Sequence, residues 1–191
     1  IEMNRGAIVV DAYQRTNLND IYAVGDCAQV FNRMTGKGQW SAMGSTANIT
    51  GRLLARNLTG ENTPYGGCLG TGVVKLTEEL NAGRTGLTEA QAKEAGYDVI
   101  TATGVTDDKA HPYAGASTFV TKLIADKSSG KLLGIQVLGA GAVDKMVDIA
   151  VTGIAMGAKV ADFDTLDFAY APPFSTAIHP FVQACYVLEN K

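Results

Sequence analysis

Ile21-Tyr22-Ala23-Val24-Gly25-Asp26 is the stretch that decides the fold. The run predicts a short buried strand ending in a Gly-Asp corner. A carboxylate at such a corner is fixed by the strand and projects past its C-terminal edge, where α/β sheets hold their ligands. Asp26 is thereby placed to accept hydrogen bonds from a sugar-like hydroxyl. Strand-Gly-Asp corners also occur as ordinary turns, so the flanking sequence carries the specificity.

Upstream lie Gly6-Ala-Ile-Val-Val-Asp11 and Thr16-Asn17-Leu18-Asn19-Asp20. Downstream, Ser45-Thr46-Ala47-Asn48 opens a helix that runs through Gly51-Arg52-Leu53-Leu54 to about Gly60. This order resembles the last FAD-binding stretch of the pyridine nucleotide-disulfide oxidoreductases. The resemblance implies that Asp26, with Gly25, binds the ribityl chain of FAD. It also implies that the helix start at Ser45, Thr46 and Ala47 faces the flavin ring. A helix N-terminus offers free N–H groups and a positive dipole end to an electron-rich ring edge, which agrees with that placement.

The chain reads as a fragment. It opens at Ile1 in mid-pattern, and no Gly-x-Gly-x-x-Gly follows a strand near its start, as a complete dinucleotide fold needs for its pyrophosphate. The nearest match is Gly139-Ala-Gly141-Ala-Val-Asp144. There Asp144 replaces the third glycine and would set a charge against a pyrophosphate, so a tight strand-to-helix turn is expected.

With 191 residues there is room for one domain, or for a small domain plus a piece of another. A net charge of −3 gives no basic footprint for nucleic acid. No apolar run reaches about 18 residues, so no membrane span is expected. Cys27, Cys68 and Cys185 form no Cys-x-x-Cys, and with only two histidines no metal site is expected. Three unpaired thiols point to a reducing cytoplasm.

The loop Thr59–Gly67 is a boundary by composition, dividing residues 1–65 from residues 66–191. Beyond it, Gly72–Leu76 is strand-like. Thr88-Glu-Ala-Gln91 is a capping box opening a helix that stops at Gly96. Val99–Val105, Phe119–Ile124 and Leu132–Leu138 are strands, the last two joined by a hairpin turn at Asp126–Gly130. Helices are expected over Ala142–Met156 and Thr176–Leu188, with Pro180 in the first turn of the second. Val143, Met146, Val147, Ala150 and Ile154 form one apolar stripe, while Ile149, Val151 and Met156 lie off it, so burial on several sides is expected.

This second region is similar to the C-terminal dimerisation domain of the same family. Gly86-Leu87-Thr88-Glu89, Ala92, Gly96-Tyr97 and Leu133-Gly134 carry the likeness, and Ala169-Tyr170-Ala171-Pro172-Pro173-Phe174-Ser175 points to the CoA-disulfide reductase, NADH oxidase and NADH peroxidase branch. The fold class implied is α+β: an antiparallel sheet with helices, plus the end of an FAD-binding α/β domain. A homodimer through the C-terminal domain is implied too. So is an enzymatic parent that uses FAD and NAD(P)H to reduce a small thiol disulfide such as CoA disulfide. Reduction of oxygen or peroxide is the alternative within the family, and a non-catalytic homodimerisation module is the alternative outside it. The chain alone is expected to be inactive and to hold no flavin.

The family's redox cysteine lies in a part of the FAD domain outside this chain. Cys27 is expected in a small buried slot, Cys185 packed in the last helix, and Cys68 exposed in its Gly-rich loop. The resemblance implies that Tyr170 and Tyr113 approach the redox cysteine of the other subunit, where a phenol donates a hydrogen bond to a thiolate. Packing through their amphipathic rings is the plainer alternative. His179-Pro180 matches the His-Pro of the glutathione reductase branch, but Phe181 and Ala184 replace its Thr and orienting Glu. An accessible interface residue is therefore expected at His179, and a surface residue at His111.

Overall fold

A computed structural model describes residues 1–191, in two compact units, Ile1–Leu69 and Gly70–Lys191. No helix is long and apolar enough to cross a membrane.

The first unit is built from short pieces. A hairpin joins β1 (Met3–Asn4) to β2 (Ala7–Ile8), turning at Arg5 and Gly6, both at positive φ. A second hairpin pairs β3 (Val30–Phe31) with β4 (Gly38–Gln39). Helix α1 covers Gly44–Leu58. Val30, Tyr65 and Cys68 form a small core with Phe31 and Leu53 against it. Ile21–Val24 is not a buried strand. Only Tyr22 forms a bridge, with Arg15, and Ile21 and Tyr22 are 41% and 37% exposed. The chain is instead held point by point, by Ala23 N–H on the Gln14 carbonyl and Thr16 Oγ1 on the Ile21 carbonyl.

The second unit is an α+β sandwich of one sheet and helices. Its strands are β5 (Gly72–Thr77), β6 (Leu80–Gly86), β7 (Val99–Asp107), β8 (Thr118–Asp126) and β9 (Leu132–Gly139). They lie in the order β5-β6-β9-β8-β7, every neighbour antiparallel. The β8–β9 turn is fixed by Asp126, whose carboxylate accepts from the hydroxyls of Ser128 and Ser129. Helix α2 (Glu89–Glu94) begins in the expected capping box of Thr88 and Gln91 and is followed by Gly96 at φ +87°.

Helix α3 (Val143–Met156) packs on β6 and β9, and α4 (Pro180–Glu189) packs on β7 and β8. All five residues of the α3 stripe are buried. Of the residues off it, Ile149 and Val151 are half-buried and Met156 is 81% exposed, so the helix is covered on less of its circumference than its composition predicts. β6 was not expected as a strand. Its Gly83 lies under α3, where a Cβ would stand 2.7 Å from methyls of both Val143 and Val147. Close helix approach therefore excludes the β-branched residues that mark a strand in sequence. α4 begins at Pro180 rather than Thr176, because His179 caps it, Nδ1 accepting from the Phe181 N–H at 3.2 Å.

The opposite face of the sheet carries an apolar row. Val105 pairs with Val120, Val120 with Leu138, Leu138 with Ala82 and Ala82 with Val74, one residue from each strand. Val105 is 66% exposed, Val120 40%, Leu138 37% and Val74 53%.

Candidate functional site

In the first unit the candidate site is the turn Gly25–Cys27 against the start of α1. Gly25 has φ +74°, a conformation that L side chains rarely adopt. A Cβ there would sit 3.6 Å from Ala47 Cβ, ordinary contact, so backbone conformation rather than space calls for the glycine. The turn is pinned from the other side by Trp40, whose indole N–H donates to the Asp26 carbonyl at 2.8 Å. The Asp26 side chain is left exposed, and none of the chain's hydrogen bonds or ion pairs ends on it.

Helix α1 starts at Met43 with no side-chain cap. The N–H groups of its first turn therefore lack side-chain acceptors. Ser45 is exposed; Thr46 is buried, with its hydroxyl against Ser41 Oγ at 2.9 Å. A free carboxylate and an uncapped helix start in one place suit a ligand that offers hydroxyls to the first and an electron-rich edge to the second. The residues thus fit part of a flavin site. Trp40 was missed in the sequence, since nothing local ties an indole to a turn fourteen residues earlier.

Cysteine placement reverses two expectations. Cys27 is exposed, because the turn carries it outward, and its thiol reaches only the Val24 carbonyl at 3.4 Å. Cys68 is buried, because its backbone pairs with Phe31 and Arg33 and draws the Gly-rich loop inward. Cys185 is buried as expected, and burial pushes its thiol up to about 12.

In the second unit, Tyr113 and Tyr170 stand on two irregular segments and are 44% and 54% exposed. His111 is exposed beside Tyr113. Between these segments lies a cleft of about 190 Å³ at the N-terminus of α3, lined by residues that include Asp108, Lys109, Lys145, Ser175 and His179. Neither tyrosine lines it. His179 is buried rather than accessible, stacked on Phe168 with ring centroids 4.7 Å apart. Burial, with the charge of Lys145 beside it, pulls its imidazole down to about 4, so it is neutral near pH 7. Its Nδ1 accepts from Phe181, so the ring proton is assigned to Nε2.

Residues 75–181 match the pyridine nucleotide-disulphide oxidoreductase dimerisation domain, and residues 1–47 match the pyridine nucleotide-disulphide oxidoreductase family. The chain belongs to the pyridine nucleotide-disulphide oxidoreductases. It is 34% identical over 184 residues to the CoA-dependent NAD(P)H sulfur oxidoreductase of Pyrococcus furiosus, covering 96% of this chain and 41% of that protein. It is 28% identical over 179 residues to an NADH oxidase of Methanocaldococcus jannaschii, covering 94% of this chain and 40% of the relative. The solved NAD-dependent persulfide reductase of A. fulgidus superposes with a TM-score of 0.92 at 38% identity, over 97% of this chain and 34% of that one. The chain thus spans about two-fifths of the length of the curated relatives.

Proposed function

We propose that this chain is the flavin-facing end and dimerisation region of an NAD(P)H-dependent flavoprotein that reduces a small disulfide or persulfide, such as CoA disulfide. One observation carries the reading: the turn that bears the exposed Asp26 carboxylate packs against α1, whose start is uncapped. The CoA-dependent relative and the persulfide reductase support the substrate class.

The overall change would be disulfide plus NAD(P)H plus a proton giving two thiols and NAD(P)+. FAD held at this site would supply the two-electron link between nicotinamide and disulfide. Asp26 would accept hydrogen bonds from its ribityl hydroxyls. The amides of Ser45 and Thr46 would stabilise negative charge at the ring edge, with Ala47, whose amide donates to the Met43 carbonyl, lining the site beside them. Tyr113 and Tyr170 would act toward the redox cysteine of a second subunit, their phenols donating to the thiolate or the leaving thiol. Their exposure leaves both free to do so. The cysteine itself would lie outside this chain, in a protein of reducing cytoplasm, as three cysteines without a disulfide suggest.

A second reading, transfer to oxygen, is favoured by the NADH oxidase relative. The test is NAD(P)H consumption by the complete polypeptide that carries this chain, with CoA disulfide, polysulfide and oxygen as separate acceptors. Faster turnover with a sulfur acceptor is expected, and Tyr170→Phe should slow that turnover while leaving flavin content unchanged. Turnover with oxygen alone would replace the first reading by the second.

A further inference from the structure

The cleft at the start of α3 has chemistry that the redox reading does not use. Its most telling member is Ser175. The side chain is 1% exposed and lines the cleft, yet its hydroxyl has no hydrogen-bond partner. Buried hydroxyls are nearly always paired, so an orphaned one on a residue that lines a cavity points to a missing partner.

The other groups around it are donors. Lys109 and Lys145 both line the cleft, and neither takes part in an ion pair. The His179 ring lines it too, and Nε2–H is the donor of that ring. Helix α3 begins at Ala142 without a side-chain cap, and the amides of Asp144 and Lys145 are left without acceptors by helix geometry. The exception is the Asp108 carboxylate. It is engaged, accepting from Ser117 N–H at 2.7 Å and Ser117 Oγ at 3.0 Å, and leaves two cationic side chains against one anionic among the lining residues. Asp144, the acid in the first turn of α3, lines the groove along that helix and not this cleft. Phe119, Met146 and Pro180 give the cleft apolar walls, beside which charge–charge attraction is stronger than in bulk water.

We propose that this cleft binds a phosphate-type oxyanion, either the free ion or the terminal phosphoryl group of a larger ligand, through Lys109, Lys145, the Ser175 hydroxyl, His179 Nε2–H and the first turn of α3. A tetrahedral oxyanion has enough acceptor oxygens to meet donors arriving from three separate segments. The site stands apart from the flavin reading and does not depend on it.

The 191-residue chain itself is the material for the test. Inorganic phosphate is titrated calorimetrically at constant ionic strength, and amide shifts are followed by NMR. Saturable binding is expected, with the largest shifts at Asp144 and Lys145. Lys145→Gln should weaken it about tenfold and Ser175→Ala several-fold, effects in the range of one charge-assisted hydrogen bond each. Ser175→Ala should also raise the Tm of the ligand-free protein by removing the orphaned hydroxyl, a readout that does not need binding. Lys75→Gln, on β5 and paired with Glu78, should change neither. Competition by adenosine 3′-monophosphate, but not adenosine, would identify a terminal phosphoryl group as a ligand; phosphate binding without that competition would restrict the cleft to the free ion. No saturable binding of either phosphate probe would overturn the proposal, as would binding that Lys145→Gln and Ser175→Ala leave unchanged.

Discussion

The His179 imidazole lies stacked on the Phe168 ring, 28° from parallel, with burial holding its pKa at about 4 against an ordinary 6.5. The folded protein therefore binds this proton later than the unfolded chain as pH falls. Stability contributed by the neutral ring is complete above pH 6.5, falls as pH drops toward 4, and levels off below that. His179→Asn keeps an N-cap acceptor but removes the titration. Urea denaturation across this window should show a clear slope in the parent and a flatter one in the variant; equal slopes would refute the assignment.

Gly83 under α3 leaves no room for a side chain. Gly83→Ala should cost about 1–3 kcal/mol of stability through overpacking against Val143 and Val147. Denaturant midpoints measure it. An unchanged midpoint would mean that α3 can lift off β6 at no cost.

Thr88 and Gln91 hold the start of α2 in a reciprocal cap, Thr88 Oγ1 accepting from Gln91 N–H and Gln91 Oε1 from Thr88 N–H. Thr88→Ala should cost about 1 kcal/mol. Thr88→Ser, which keeps the acceptor, should recover most of it.

A homodimer is expected for the chain at micromolar concentration, measured by light scattering. Along α3 runs a groove of about 640 Å³ lined by Ile149, Met156, Phe163 and Leu166 among others. Met156 is 81% exposed, so Met156→Glu should give a folded monomer. A charge at Val182 is a poorer probe, because that side chain is 5% exposed and packs inside its own unit. A clean monomer for the parent chain would sink the assignment.

The purified chain is expected to be colourless and to oxidise no NADH, because Asp26 and the α1 start supply only part of a flavin's contacts. A yellow preparation with stoichiometric FAD would contradict this.

Much of this was readable beforehand, for identifiable reasons. The α3 stripe follows helical spacing, and all five of its residues point into the core. The Asp126–Gly130 turn and the Thr88 cap are local chemistry, written within a few residues. β6 was not readable, since the helix above it demands glycine where a strand would show valine. Ile21–Val24 has strand composition, but its hydrogen bonds go to scattered loop partners instead of a neighbouring strand. The cleft was hidden because Lys109, Lys145, Ser175 and His179 come from segments far apart in sequence, and no spacing rule links them.

The row from Val74 through Ala82, Leu138 and Val120 to Val105 separates two demands that usually fall on the same side chain. These positions keep the β-branched or aliphatic shapes that strands favour, yet several of them shield little from water in this chain. Threonine in place of Val120 or Val105 would retain that shape while making the face wettable. Solubility is thus tunable along this row with little change in folding stability.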